Sequence, residues 1–182
     1  QNVVTWNAML SAYVEQGQLE SALELFRKML EEGFAVDGVT LVGVLQASGL
    51  ACQADSCWEA HFFLTSTDFQ LTPLLATTLI NAYGNCALLS DAQRVFHALA
   101  LVDNVSWSAT IDAFVQASEC LMSLQTFENM CSAGFEPDNV TFFSVLSACS
   151  HAGLIDIGVN CFESMIKYFG PKPDLKHYAI MI

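Results

Sequence analysis

Apolar residues recur with helical spacing in short segments along the whole chain. The first stripe, with i, i+3, i+4, i+7 spacing, consists of Trp6, Met9, Leu10 and Tyr13. The second stripe, after a turn at residues 15–17, consists of Leu19, Ala22, Leu23, Phe26, Met29 and Leu30. Such spacing places each stripe on one face of a helix. Gly33 follows where the second helix should end, because glycine enters the left-handed conformation at low cost. The pattern predicts a helix pair within residues 3–37.

The chain also matches itself after a shift of 101 residues. Matched pairs include Val4 and Val105, Trp6 and Trp107, Phe26 and Phe127, Gly33 and Gly134, and Asp37 and Asp138. This shift divides into units of roughly 35 residues, a period typical of helical repeat proteins. The predicted repeats are residues 3–37, 38–72, 73–103, 104–138 and 139–174, followed by a partial repeat at 175–182. We therefore predict one all-α solenoid segment over residues 1–182, built from helix-turn-helix repeats.

The high apolar content fits a solenoid without requiring a membrane. Hydrophobic residues make up 53% of the chain and the mean hydropathy is +0.42. Repeat helices need apolar residues on more than one side, because each packs against its partner and the next repeat. The longest uncharged stretch, residues 69–90, contains Pro73 and Gly84, which argues against a membrane span. We expect no membrane contact.

Cysteine and histidine positions predict neither a metal site nor catalysis. The seven cysteines are an odd number without regular spacing, which argues against a disulfide framework. Cys52 and Cys57 are close in sequence, but no histidine or second cysteine pair completes a tetrahedral set. We expect buried or half-buried thiols in a reduced compartment, and no cofactor. The chain contains no P-loop and no G-x-S-x-G motif, and its four histidines are scattered, so we expect no enzyme activity.

The ends of the repeats resemble a known family. The segments 2–10 (NVVTWNAML) and 103–111 (DNVSWSATI) resemble the openings of pentatricopeptide repeats, and 33–37 (GFAVD) and 134–138 (GFEPD) resemble their ends. The alternation of standard, long and short repeats resembles the plant-type PLS subclass. The resemblance covers essentially the whole chain and implies a right-handed αα superhelix. We expect this chain to be a segment of a longer array, because neither end carries a polar capping repeat.

The resemblance implies that each repeat binds one base of single-stranded RNA. In this family the fifth and last residues of a repeat read the base edge, and the second residue sandwiches the base. The implied base-reading pairs are Asn7 with Asp37, Thr77 with Asp103, and Ser108 with Asp138. The implied sandwiching residues are Val4, Leu74 and Val105. The first pair resembles a uracil reader, and a hydroxyl paired with Asp resembles a guanine reader.

Two repeats depart from this pattern. The pairs Val42 with Thr72 and Phe143 with Asp174 place an apolar residue at the fifth position. Because Val and Phe cannot hydrogen-bond a base edge, these repeats are expected to act as spacers. The implied preference along the RNA is U, any base, G, G.

A structural interpretation of the same residues stays open. Asn7 and Ser108 fit solvated positions in the first turn of a helix. Asp37, Asp103 and Asp138 fit N-caps, whose carboxylates accept backbone N–H groups. Capping and base reading are compatible with each other.

The resemblance implies a role in RNA processing or in recognising C-to-U editing sites in a mitochondrion or chloroplast. Single-stranded RNA is the expected partner, and a deaminase or accessory protein supplied elsewhere is a further candidate. A protein-interaction scaffold with an acidic groove is the competing hypothesis, and a degenerate spacer is a third. No targeting segment is recognisable in this chain.

The charge balance generates a prediction of its own. The net charge is −13, from 6 basic and 19 acidic residues, and Arg27, Lys28, Arg94 and Lys167 fall on predicted second helices. Since phosphate neutralisation by Lys and Arg produces the salt dependence of nucleic-acid binding, we expect weak RNA binding with a shallow slope of log affinity against log salt. Titration of a labelled oligonucleotide at several salt concentrations measures this slope. A steep slope would contradict the prediction.

Overall fold

In the computed structural model, which describes residues 2–67, 69–170 and 172–182, the described chain forms eleven α-helices and no strand. They are α1 (Val3–Glu15), α2 (Leu19–Glu31), α3 (Gly38–Leu50), α4 (Ala54–Ser66), α5 (Pro73–Asn85), α6 (Leu89–His97), α7 (Asn104–Gln116), α8 (Cys120–Ser132), α9 (Asn139–His151), α10 (Ile155–Lys167) and α11 (Leu175–Ile180). The predicted all-α fold of helix pairs is confirmed. We call the odd-numbered helices first helices and the even-numbered ones second helices.

Each first helix begins at the first residue of a predicted repeat, and each follows a polar N-cap. The side chains that accept a backbone N–H from the first turn are those of Asn2, Asp37, Thr72, Asp103, Asp138 and Asp174. These bonds satisfy donors that have no partner inside the helix. The capping interpretation of Asp37, Asp103 and Asp138 is therefore confirmed.

The turn between the two helices of a repeat requires a left-handed residue. Positive φ angles occur at Gly17, Cys52, Ala87, Ser118 and Gly153, which occupy the same place in five successive repeats. At each, the backbone N–H of the next residue bonds a carbonyl five residues earlier, as in Gln18 to Tyr13 at 2.9 Å. Because a Cβ is strained in this region, three of the five turns carry a residue poorly suited to it.

The helices pack in two compact units, Gln1–Val95 and Phe96–Ile182, whose boundary falls within α6. In the first unit, α1, α3 and α5 lie side by side, and α2 and α4 pack against them. In the second unit, α7, α9 and α11 lie side by side, with α8 and α10 packed against them. Close approach depends on small residues, since a Cβ added to Gly49 of α3 would lie 2.8 Å from the Ala82 Cα of α5.

Most residues of the two predicted apolar stripes are buried, and Tyr13, Leu19 and Leu30 are half-buried. Trp6 and Leu10 of the first stripe are buried, whereas Met9 is 40% exposed. Met9 shares the spacing of the apolar stripe but stays exposed, because the helix buries only the part of its stripe that faces α2 and α3. The small residues at one register of the second helices are all buried; they are Ala22, Cys57, Ala92, Ser123 and Gly158.

Helix length also bears on membrane contact. The longest described helices have 13 residues, which corresponds to roughly 20 Å at the α-helical rise. Within residues 2–67, 69–170 and 172–182, no helix reaches the length and apolarity that a bilayer crossing requires.

Glycine at a strained turn should stabilise the protein. Ser118 is exposed and has φ 62°, so Ser118→Gly should raise the free energy of unfolding by about 0.5–1 kcal/mol. Ala117→Gly is the matched control, because Ala117 has φ −80° and glycine there only adds freedom to the unfolded chain. Thermal denaturation of both variants measures the effect. Equal or lower stability of Ser118→Gly would contradict this account of the turn.

Candidate nucleic-acid interface

The first predicted pair is in direct contact. Asn7 lies in α1, and Asp37 precedes α3. The Asn7 Nδ2 donates to the two carboxylate oxygens of Asp37 at 3.0 and 3.1 Å. The Thr40 hydroxyl has one hydrogen and lies within donating distance of two acceptors, Asn7 Oδ1 at 2.6 Å and Asp37 Oδ1 at 2.9 Å. Both Asn7 and Asp37 are half-buried, so part of each polar head remains accessible.

The third predicted pair is joined through an intermediate hydroxyl. The Ser108 Oγ of α7 lies 2.6 Å from Thr141 Oγ1 of α9, and Thr141 Oγ1 donates to Asp138 Oδ1 at 2.8 Å. Ser108 is 9% exposed, so it is more buried than the solvated position that the structural interpretation assumed. Asp138 is exposed. The cluster therefore has a buried hydroxyl end and an accessible carboxylate end.

The second predicted pair falls in different compact units, and each member is described separately. Thr77 is half-buried, and its hydroxyl donates to the Pro73 carbonyl at 2.8 Å, one turn earlier in α5. Asp103 is exposed and accepts the Ser106 hydroxyl at 2.7 Å and the Ser106 N–H at 2.8 Å. Asp103 therefore has the same capping role as Asp37 and Asp138.

The predicted sandwiching positions form a register of exposed aliphatic residues. Val4, Leu74 and Val105 are between 60% and 72% exposed. Val39 and Val140 occupy the same second position in their repeats and are equally exposed, but they are not among the predicted sandwiching residues. Their signal was available in the sequence, because an aliphatic residue recurs at the second position of all five repeats.

The two departing repeats keep the cap and lose the fifth polar group. The Thr72 hydroxyl accepts the Leu75 N–H at 3.3 Å, and Val42 is half-buried in α3. Asp174 Oδ1 lies 2.6 Å from the His177 Nδ1, and the His177 ring makes an edge contact with Phe143 at 6.3 Å between centroids. These repeats offer no hydrogen-bonding side chain at the fifth position, where Val42 and Phe143 stand.

Hydrogen bonds lower the pKa of two of the capping carboxylates described above, Asp37 and Asp103. At Asp37, burial raises the pKa, but the bonds from the Thr40 N–H, the Asn7 amide and the Thr40 hydroxyl outweigh it and hold the pKa below 3.8. At Asp103, the hydroxyl and the N–H of Ser106 lower the pKa. Both side chains are therefore carboxylates near neutral pH and accept hydrogen bonds only.

The basic side chains on the second helices are each engaged with a carboxylate. Arg27 lies 3.5 Å from Glu59, Lys28 lies 3.7 Å from Glu32, Lys167 lies 2.6 Å from Glu163, and Arg94 contacts Asp91. Helices α1, α3, α5, α7 and α9 contain neither Lys nor Arg. The first helices that carry the predicted reading residues therefore supply almost no positive charge for phosphates.

Two free cysteines of the first unit, Cys57 and Cys86, are in contact with each other. Cys57 Sγ lies 3.8 Å from Cys86 Sγ, and burial raises the pKa of Cys57 to about 12, which keeps it a thiol. Among the described residues no group of three or more His, Cys, Asp or Glu side chains is placed to hold a metal ion. The prediction of buried or half-buried thiols is wrong for Cys52, which is exposed.

Comparison with known sequences assigns the family. A model of the PPR repeat family matches residues 1–47, and a model of the PPR repeat matches residues 105–135 and 140–168. The chloroplastic pentatricopeptide repeat-containing protein CRR2 of Arabidopsis thaliana is 36% identical over 183 residues, which is 100% of this chain and 28% of that protein. A second such protein of that plant, named as mitochondrial, is 36% identical over 182 residues, with the same coverage. The chain belongs to the pentatricopeptide repeat family and spans only about a quarter of these relatives.

Solved structures show the same fold. The pentatricopeptide repeat protein PPR10 from maize has a TM-score of 0.81 and 21% identity, over 100% of this chain and 26% of that one. The same protein in complex with an 18-nt psaJ RNA element has a TM-score of 0.81 and 16% identity, over 98% and 27%. The pentatricopeptide repeat domain of Arabidopsis thaliana protein-only RNase P 1, in complex with tRNA, has a TM-score of 0.65 and 10% identity, over 95% and 93%.

The Asp103 cap should contribute stability with a defined pH dependence. The Ser106 hydrogen bonds hold its folded pKa below the usual value of an aspartate, so its contribution is full above about pH 4 and is lost as the pH falls through the folded pKa. Asp103→Asn keeps a good N-cap and should flatten the fall of the melting temperature between about pH 5 and pH 3. Asp55→Asn, a carboxylate change in the first turn of α4, controls for net charge. An unchanged acid profile for Asp103→Asn would contradict the role of the Ser106 bonds.

Proposed function

We propose that this chain binds single-stranded RNA through its first helices, with one base for each reading repeat. The observation that carries the proposal is the contact between Asn7 and Asp37, which presents an amide and a carboxylate together at the start of the next repeat. The exposed aliphatic register next to it in sequence supplies apolar surface for unstacked bases. Two proteins of the same fold are known in complex with RNA, PPR10 with an 18-nt psaJ element and the domain of protein-only RNase P 1 with tRNA.

The assignment of bases follows from donors and acceptors. Asn7 and Asp37 offer an N–H beside a carboxylate, which complements the O4 and N3–H of uracil. Ser108 with Asp138 offers a hydroxyl oxygen with a carboxylate and is proposed to bind guanine. Thr77 and Asp103 keep the guanine assignment that their repeat positions imply. Val4, Leu74 and Val105 are proposed to sandwich these bases. The proposed preference is U, any base, G, G.

The cellular role is proposed from the relatives and the repeat lengths. Alternating repeat lengths support assignment to the PLS subclass, and relatives named chloroplastic or mitochondrial support an organellar site of action. In that setting the chain would select sites for RNA processing or C-to-U editing, with chemistry supplied by a deaminase or accessory protein. The chain itself is proposed to bind RNA and to catalyse nothing.

The acidic charge favours one second candidate, a scaffold for a basic protein. The ion pairs on the second helices and the absence of Lys and Arg from five first helices leave the surface strongly negative. Such a scaffold would bind RNA without base preference or not at all. The full-length protein should therefore be compared on an oligonucleotide containing UNGG and on a scrambled one at fixed salt. Equal affinity for both would reject base reading.

A single substitution tests the reading pair without removing the cap. Asp37→Asn keeps an N-cap but can turn an N–H toward the base, so it should reduce the preference for U over C at one position by about ten-fold. The physical reason is that uracil N3 carries a hydrogen, whereas cytosine N3 accepts one. Binding to oligonucleotides varied at that base measures the change.

Asp174→Asn is the matched control for this substitution. It makes the same change at a cap whose repeat has Phe143 in the fifth position, so the base preference should not change. If Asp37→Asn lowers the melting temperature and leaves the base preference intact, Asp37 acts only as a cap.

A further inference from the structure

A threonine outside the proposed pairs completes each of two hydrogen-bonded clusters, one around Asn7 and Asp37 and the other around Ser108 and Asp138. Thr40 and Thr141 are the third residues of their repeats, and both are 0% exposed. Thr40 Oγ1 lies 2.6 Å from Asn7 Oδ1 and 2.9 Å from Asp37 Oδ1. Thr141 Oγ1 lies 2.6 Å from Ser108 Oγ and 2.8 Å from Asp138 Oδ1. The same hydroxyl thus recurs between the fifth and last residues in both compact units.

The hydrogens in the Thr141 cluster can be assigned by counting. The Asp138 carboxylate has no hydrogen to donate, so both contacts of the Thr141 hydroxyl carry a hydrogen only when Thr141 donates to Asp138 at 2.8 Å. Thr141 has no second hydrogen, so the 2.6 Å contact requires Ser108 to donate to Thr141. Ser108 then has only lone pairs left for any further partner.

This assignment decides which hydrogen-bonding groups Ser108 and Asp138 can offer to a base. Ser108 and Asp138 together present acceptors and no donor. The Watson–Crick edge of guanine carries two adjacent donors, N1–H and the N2 amino group, which match two acceptors. Adenine presents its N1 lone pair next to one amino group, so one acceptor of the pair would face another.

We propose that Thr141 is a specificity-determining positioning residue, which fixes Ser108 as an acceptor and so selects guanine over adenine at the base bound by repeat 104–138. The inference rests on the proposed function. Thr141 acts through Ser108 and is too buried to contact the base itself.

Thr40 provides a contrast within the same protein. Asn7 has a fixed polarity without it, because Asn7 Nδ2 donates to both Asp37 oxygens at 3.0 and 3.1 Å. A reversed amide would point its oxygen at the carboxylate and is disfavoured by repulsion. Removing the Thr40 hydroxyl therefore weakens one bond and leaves the donor and acceptor order unchanged.

The test compares Thr141→Val with Thr40→Val in the full-length protein. Thr141→Val frees the Ser108 hydroxyl to donate to adenine N1, so the preference for G over A at that base should fall roughly three- to ten-fold. Most of the change should come from tighter binding of the adenine oligonucleotide. Thr40→Val should leave the preference for U over C unchanged, and Thr141→Ser should behave as the unsubstituted protein.

Controls separate this role from stability. Thr110→Val removes another buried hydroxyl, one that bonds the Ser106 carbonyl at 2.8 Å, and should leave base preference unchanged. If Thr141→Val does not fold, as judged by circular dichroism, Thr141→Ala carries the same expectation.

Each outcome has one meaning. If the unsubstituted protein prefers G at this base and Thr141→Val retains the preference, the inference is overturned and the proposed function stands. Failure of Thr141→Ser to retain the preference also overturns it. If the unsubstituted protein has no G preference there, base reading by this repeat fails first.

Discussion

Each first helix of this protein begins on a side-chain oxygen that belongs to the preceding repeat. The backbone N–H groups of Thr40, Ser106 and Thr141 are accepted by the carboxylates of Asp37, Asp103 and Asp138 at 2.8–2.9 Å. Without such an acceptor, the first turn would leave a donor unpaired at a partly buried junction. In two repeats the same carboxylate is also bonded, directly or through threonine, to the fifth residue of the preceding first helix. Helix initiation and presentation of the reading pair therefore depend on one hydrogen-bonded cluster.

Much of the fold was accessible from the sequence, because helix starts and stops have local signals. The last residue of each repeat is a good N-cap, and Pro73 stands at the first helical position, where proline is favoured. Met9 shows where local pattern was insufficient. Its spacing fits the apolar stripe, but its exposure depends on where neighbouring helices lie, which periodicity does not encode.

The sequence predicted which positions form the candidate site, but it did not predict their hydrogen bonds or their burial. Repeat register located Asn7 and Asp37, and the structure adds that they are bonded to each other. Register could not reveal that Ser108 is buried or that its partner is Thr141 rather than Asp138. That information depends on how two first helices pack, and on rotamers that a linear pattern leaves free. The left-handed backbone conformations of Cys52, Ala87 and Ser118 could not be predicted either, because glycine is the residue type that signals this conformation in a sequence.

The distribution of charged side chains limits the forces by which the first helices could bind RNA. With its second-helix cations paired to carboxylates, the chain lacks the diffuse phosphate attraction on which many nucleic-acid binders depend. Under the proposed function, affinity must come from stacking and base-edge bonds, which are short-ranged. Selectivity and affinity would then rest on the same few contacts.

The shared oxygen at the repeat junction has a consequence for how such arrays diversify. The capping residues in this chain are Asn2, Asp37, Thr72, Asp103, Asp138 and Asp174, all drawn from the small set that initiates helices well. A mutation to an aliphatic or a long basic residue would fray the next helix before its effect on any ligand could be selected. Folding therefore restricts this position to a few residue types. Neither evolution nor engineering can introduce other residues there without destabilising the start of the next helix.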